Sequence, residues 1–195
     1  YLNQNQFSDI LNLTNNVFYP LKNFVNQTQF DSIIQRMKLG KKFFPFPIFF
    51  GINKDKFIRY KNEKKLILFY KSKAVAEVNN INFFKYDKKK FGKTIYGNNF
   101  KKHPYYRKFY SENYIFLNFS FHKIFRHYYN NKNFISPKDF LKKNKNKILP
   151  AFHTRNVPHA AHQRIHKLLI KKFNSLLIQP LIGQYKLGEY KDDVI

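Results

Sequence analysis

The residues best equipped for chemistry lie close together, between His153 and His162. His153-Thr154-Arg155-Asn156 is a polar, positively charged stretch, and His159 and His162 follow it. Arg155 carries a permanent charge on a planar fork of donors that matches sulfate or phosphate. Thr154 and Asn156 add hydrogen-bonding groups. Histidines three residues apart share one side of a helix's first turn, where unpaired backbone N–H groups and the macrodipole favour negative charge. The set can face a polyanion. Thiolate chemistry is excluded, because the chain has no Cys.

The elements that must position these residues read as β-turn-α-β. Ile148 to Phe152 is a short apolar run, expected to be a buried strand. His153 to Asn156 is the expected turn, and Pro158 stands where a helix would begin, since proline's missing N–H costs nothing there. From His159 to Phe173, Ala161, Ile165, Leu168 and Leu169 recur at helical spacing and predict the packed face. Leu176 to Ile182 is the next expected strand. The unit has the size of a parallel crossover, and the turn at the C-terminal end of the first strand is where such sheets bind ligands. Pro150 sits awkwardly inside the first strand, because it cannot donate to a ladder.

His153-Thr154-Arg155-Asn156 followed by His159-Ala160-Ala161-His162 resembles the Q-T-R-N…H-x-x-H signature of the ATP sulfurylase (sulfate adenylyltransferase) family. Leu181-Ile182-Gly183-Gln184-Tyr185-Lys186-Leu187-Gly188-Glu189 resembles that family's L-V-G-x-T-K-x-G-D stretch. The resemblance extends upstream. Val17 to Val25 is similar to S-P-L-x-G-F-M, with Asn23 for the family glycine, and Asn is the next-best residue for a positive φ. Gln29 to Leu39 resembles D-Y-x-x-V-x-x-M-R-L, Phe43 to Ile48 resembles L-x-P-x-P-I, and Tyr96 to Tyr105 resembles F-G-T-x-D-x-x-H-P. H-x-x-H alone is shared widely among nucleotidyltransferases; T-R-N before it and G-x-x-K-x-G-E after it make the match specific.

The resemblance implies an α+β region followed by α/β. Residues 1–140 would form a small PUA-like β-barrel domain with helices. Residues 141–195 would begin a Rossmann-like nucleotidyltransferase catalytic domain, truncated after its first βαβ. The implied reaction transfers AMP from ATP to sulfate, giving adenosine 5′-phosphosulfate and pyrophosphate. Thr154, Arg155 and Asn156 would be catalytic, with His153 and Arg155 holding sulfate. Asn156, His159 and His162 would contact ATP phosphates in the transition state. Gly183, Lys186 and Gly188 would belong to a substrate-pocket loop. Mg²⁺ would arrive with ATP, and no protein-held metal is expected. The implied setting is a cytoplasmic homo-oligomer. Three departures stand out: His153 replaces Gln, Ala160 replaces an Arg, and Glu189 replaces Asp. The family's later motifs are not within the 195 residues, so this chain by itself is expected to be an inactive fragment. A histidine in place of Gln also keeps open a nucleotidyltransferase with an altered acceptor.

Other readings of the same residues are blander. His159, His162 and His166 could line up as metal ligands, but no acid or Cys stands near them. The formal net charge of +26 suits nucleic acid, and a PUA-like module could bind RNA. Yet Lys, Asn, Phe, Tyr and Ile share AT-rich codons, the lysines are dispersed, and the aromatics form no single stacking motif. Genome bias explains the charge better, and nucleic acid is not the expected partner. No apolar run approaches the ~20 residues that span a bilayer, so no membrane partner is expected.

Upstream, Asp9 to Leu13 is a short apolar-patterned piece. Gln29 to Leu39 predicts a helix with Phe30, Ile33, Ile34 and Met37 on one face, stopped by Gly40. The aromatics of 43–48 are expected in the core. Strands are expected at 65–72, 74–78 and 81–86, with a turn at Asn79-Asn80, and again at 114–121. His103, His122 and His127 read as loop, surface or packing residues. Ser136-Pro137 predicts a helix start, and the domain boundary is expected within 136–147.

Overall fold

The computed structural model describes residues 1–125, 137–145 and 148–180. The chain forms two compact units, Tyr1–Lys138 and Asp139–Ile195.

In the first unit, asparagine starts the helices. α1 (Gln4–Thr14) and α2 (Gln27–Arg36) open on reciprocal caps: the Asn3 side chain accepts from the Gln6 N–H while the Gln6 side chain accepts from the Asn3 N–H, and Asn26 and Gln29 repeat the pattern. Such caps each contribute about 1 kcal/mol. Phe30, Ile33 and Ile34 are the buried residues of α2. The helix ends at Met37, which is left-handed at φ 52°, rather than at Gly40, and Met37 is exposed. Gly40, at φ 61°, serves the tight turn between β1 (Lys38–Leu39) and β2 (Lys42–Phe43). The expectation that all aromatics of 43–48 lie in the core fails: Phe44 is buried, whereas Phe43 and Phe46 are exposed. The one positive-φ residue of the 15–25 segment is Asn16 rather than Asn23.

Four strands form an antiparallel sheet in the order β3 (Phe50–Ile52), β6 (Ile115–Ile124), β5 (Lys73–Phe84), β4 (Lys65–Tyr70). It curls into half a barrel; among the described residues it does not close, and β3 and β4 are its edges. Asn79-Asn80 does not turn the chain. β5 runs through it, and Asn80 takes φ 52° where the register against β6 shifts between Asn79 and Asn82. The tolerance of asparagine for left-handed backbone serves a bulge as well as a turn, and bulges bend a sheet. Between the strands lie α3 (Lys54–Tyr60), α4 (Lys88–Tyr96) and α5 (Pro104–Glu112), started by Asn53, by Asp87 and by Pro104 in the first turn.

The core is aromatic. Fully buried Phe116 meets the rings of Phe30, Phe49, Phe84 and Tyr86 at centroid distances of 5.1, 4.5, 5.6 and 4.2 Å. The Tyr86 hydroxyl donates to the Asn113 carbonyl at 2.9 Å, and burial raises its pKa above the ordinary phenol value.

α6 (Pro137–Lys143) crosses into the second unit, which contains β7 (Ala151–Thr154), α7 (Ala160–Phe173) and β8 (Leu177–Pro180). β7 and β8 pair in parallel, Phe152 opposite Ile178 and His153 opposite Gln179. β7 starts after Pro150, which removes the difficulty of a proline in the ladder; the Pro150 carbonyl accepts from the Leu177 N–H at 2.9 Å. The strand therefore extends through His153 and Thr154, which were expected in the turn.

The packed face of α7 also differs from expectation. Ile165 and Leu168 are 42% and 61% exposed, while His162, His166, Leu169 and Phe173 are half-buried. Those four positions satisfy the helical repeat equally well. No helix among the described residues is long and apolar enough to cross a membrane.

Candidate functional site

The site is built where β7 gives way to α7. Strand alternation puts Phe152 and Thr154 on one face of the two-stranded sheet and Ala151 and His153 on the other. Phe152 contacts the rings of His162 and His166, so its face is the one α7 covers. His153 is exposed on the opposite face.

Thr154 is the buried polar residue of the region at 7% exposure. Its Oγ1 accepts from the Asn156 N–H at 3.0 Å and lies 3.1 Å from the Asn156 carbonyl. That closes a side-chain-to-backbone turn two residues long, which bends the chain out of β7. The hydroxyl is thus a turn-shaping group in this structure. Arg155 and Asn156 are exposed on that turn.

Pro158 is not the first helical residue. His159 occupies the N-cap, extended at φ −129° and ψ 178°, and α7 begins at Ala160. His162 is then the third residue of the helix, and its Nδ1 accepts from the His159 N–H at 3.4 Å. The two rings meet at a 4.0 Å centroid distance. An imidazole reaching back to the N-cap satisfies one donor that the helix cannot satisfy itself. Desolvation, then the neighbouring imidazoles of His159 and His166, hold the His162 pKa below its ordinary value.

The sequence-predicted residues therefore divide. Arg155, Asn156 and His159 lie exposed along the turn and helix tip, and His162 is half-buried beside them. His153 and Thr154 belong to the strand end, on opposite faces. Gly183, Lys186 and Gly188, with Glu189, His127 and Ser136, lie outside the described residues. Phe152, read from the sequence only as part of the strand, and His166, weighed there as a metal ligand, pack beside His162 instead. Elsewhere, His103 stacks on Tyr96 at 4.5 Å with its Nδ1 buried and unpaired, and exposed His122 lies 3.9 Å from Glu77. No three His, Cys, Asp or Glu residues among those described are grouped to hold a metal ion.

A family model described as a PUA-like domain matches residues 1–118, and one described as ATP-sulfurylase matches residues 127–195. The chain belongs to the ATP-sulfurylase family. Curated relatives agree along its length. Sulfate adenylyltransferase of Pyrococcus abyssi is 27% identical over 192 residues, covering 96% of this chain and 50% of that protein. That of Thermococcus onnurineus is also 27% identical with the same coverage. That of Halothermothrix orenii is 22% identical over 201 residues, covering 99% and 52%. The chain spans about half the length of the relatives it matches. In ATP-sulfurylase terms, the first unit carries the PUA-like part, and the strand–helix–strand unit lies within the 127–195 match.

Proposed function

We propose that this chain contributes the anion-binding turn of a sulfate adenylyltransferase, which moves the adenylyl group of ATP to sulfate. The observation that carries this is the parallel β7–α7–β8 unit with exposed Arg155 on the turn and the His159 and His162 rings 4.0 Å apart at the helix tip. In this reading β7–α7–β8 is the first crossover of a Rossmann-like nucleotidyltransferase domain that begins near residue 141, after a PUA-like domain over 1–140. An open face opposite α7 on a two-stranded parallel sheet fits that reading, since parallel sheets are ordinarily covered on both sides.

A sulfate oxygen attacks the α-phosphorus of ATP, forming a new P–O bond as the bond to the bridging β-phosphate oxygen breaks and pyrophosphate leaves. Both reactants are anions and sulfate is a weak nucleophile, so catalysis rests on placement and charge neutralisation. Arg155 holds sulfate, with His153 as a second donor if the strand end is approached from its own face. Asn156 orients the transferred group, and Thr154 fixes the turn that carries both. His159 and His162 meet the β- and γ-phosphates. Gly183, Lys186 and Gly188 belong to the substrate-pocket loop. Mg²⁺ enters as MgATP, on the phosphates. The working form is a cytoplasmic homo-oligomer.

The test is anion binding to the 195-residue chain by calorimetry. Arg155→Ala removes a charge-assisted fork worth about 1.5–3 kcal/mol, so sulfate affinity should fall roughly 10- to 100-fold. Equal affinity in the two proteins would sink the assignment. Because the relatives are about twice as long, the chain with sulfate and MgATP is expected to release no pyrophosphate; clear turnover would overturn that expectation. Comparing sulfate with phosphate and carboxylates as ligands separates a sulfate site from one with an altered acceptor, the alternative that His153 motivates.

A further inference from the structure

The inner face of α7 presents imidazoles to β7 where aliphatic side chains would ordinarily pack. One benzene ring receives two of them. Phe152 meets His162 at 5.2 Å and 67°, and His166 at 4.6 Å and 81°. The two imidazoles lie nearly parallel, 14° apart in plane and 6.4 Å between centroids. Phe152 is thus flanked by both rings, each close to perpendicular to it. His162 is fixed at a second point, where its Nδ1 accepts from the His159 N–H at 3.4 Å. A flip of the ring would keep the flank contact but put Cδ2 in place of Nδ1, and so lose the bond from the His159 N–H. With Nδ1 accepting, the neutral ring carries its proton on Nε2. Among the described residues Nε2 of His162 has no partner, and it is not among the buried unpaired atoms, so it stays open to solvent.

We propose that Phe152 and His166 are positioning residues that set the ring and tautomer of His162, so that the site presents one aimed Nε2–H donor to an anionic phosphate oxygen. What the donor meets rests on the adenylyl-transfer reading above; how it is aimed does not. Among the described residues the groups facing His162 are His159 and His166 from α7 and Phe152 from β7, with Ile178 of β8 in register beside Phe152. None is acidic. Nothing in that surrounding favours an imidazolium, and the lowered pKa of His162 agrees. A donor already oriented and neutral needs no reorganisation when negative charge develops beside it.

The experiment is a pH titration of the ¹⁵N-labelled 195-residue chain, following imidazole nitrogens by long-range ¹H–¹⁵N correlation. In the native chain His162 should show an unprotonated Nδ1 and protonated Nε2, and should titrate below an ordinary histidine. His166→Ala and Phe152→Leu should move that titration up toward the ordinary value and bring in the second tautomer. His166→Phe keeps a ring against Phe152 and should preserve the native tautomer. Unchanged titration and tautomer in His166→Ala, with α7 retained by circular dichroism, would overturn the proposal. So would a native His162 of mixed tautomer. If Phe152→Leu loosens the unit, the two His166 variants decide. Pyrophosphate is then added to the native chain. A shift at His162 Nε2 is expected; no shift, with the tautomer effects intact, refutes the adenylyl-transfer reading and leaves the positioning role standing.

Discussion

Asp9 offers a direct test of how this fold treats an unpaired charge. It lies in α1 between the buried residues Phe7, Ile10 and Leu13, is itself half-buried, and has no hydrogen-bond or ion-pair partner among the described residues. Desolvation pushes its pKa up from 3.8 to about 6. A carboxyl whose folded pKa is raised favours the fold only while protonated, so stability should be full below pH 4 and decline as pH rises toward 6 and just beyond. The shift of about two pH units corresponds to about 3 kcal/mol at neutral pH. Asp9→Asn keeps the shape and removes the charge, so it should recover most of that at pH 8 and almost nothing at pH 3.5. Urea unfolding by tyrosine fluorescence suits the measurement, because the chain has no Trp and twelve of its fourteen tyrosines precede residue 139. With an m-value near 2 kcal/mol/M, the midpoint should rise by roughly 1–1.5 M at pH 8. An Asn variant no more stable than the native chain at pH 8, or equally stabilised at both pH values, would refute the burial argument.

The β4–β5 hairpin turns at Lys71 and Ser72, both left-handed at φ 45° and 63°, where Asn-Gly is the favoured pair. Lys71→Asn with Ser72→Gly should therefore stabilise the first unit by about 1–2 kcal/mol in the same urea assay; a loss of stability would mean the side chains contribute contacts that outweigh backbone strain. In α4, a Cβ at Gly92 would come within 2.8 Å of the Tyr106 ring and closer still to Phe100, which is buried. Gly92→Ala should cost about 1–3 kcal/mol despite the better helix propensity of alanine, seen as a lower thermal midpoint.

How much of this could be read from the residues alone depends on whether a residue has one structural use or several. Apolar spacing placed α2 to within a few residues, whereas the caps at Asn3, Asn26, Asn53 and Asp87 were not singled out. Asparagine misled because left-handed backbone serves turns, bulges and helix ends alike: Asn79-Asn80 looked like a turn and is a bulge, while the real hairpin turn at Lys71-Ser72 carries neither Asn nor Gly. Glycine misled in the same way at Gly40, which turns a hairpin just after the helix it was expected to stop. The site shows a different limit. The types and spacing of His153, Thr154, Arg155, Asn156, His159 and His162 are plain in the sequence, but their facing depends on where β7 ends and α7 begins. Moving the helix start from Pro158 to Ala160 makes His159 a cap and His162 the residue that reaches back to it. Extending β7 to Thr154 sends His153 to the far face. Two one-or-two-residue boundary shifts thus turn a supposed row of outward donors into one exposed cationic turn and one clasped, neutral imidazole. For anions the difference is physical: Arg155 can attract them over a distance, whereas His162 can act only by contact, so the arginine should govern affinity and the histidine the geometry of what is bound.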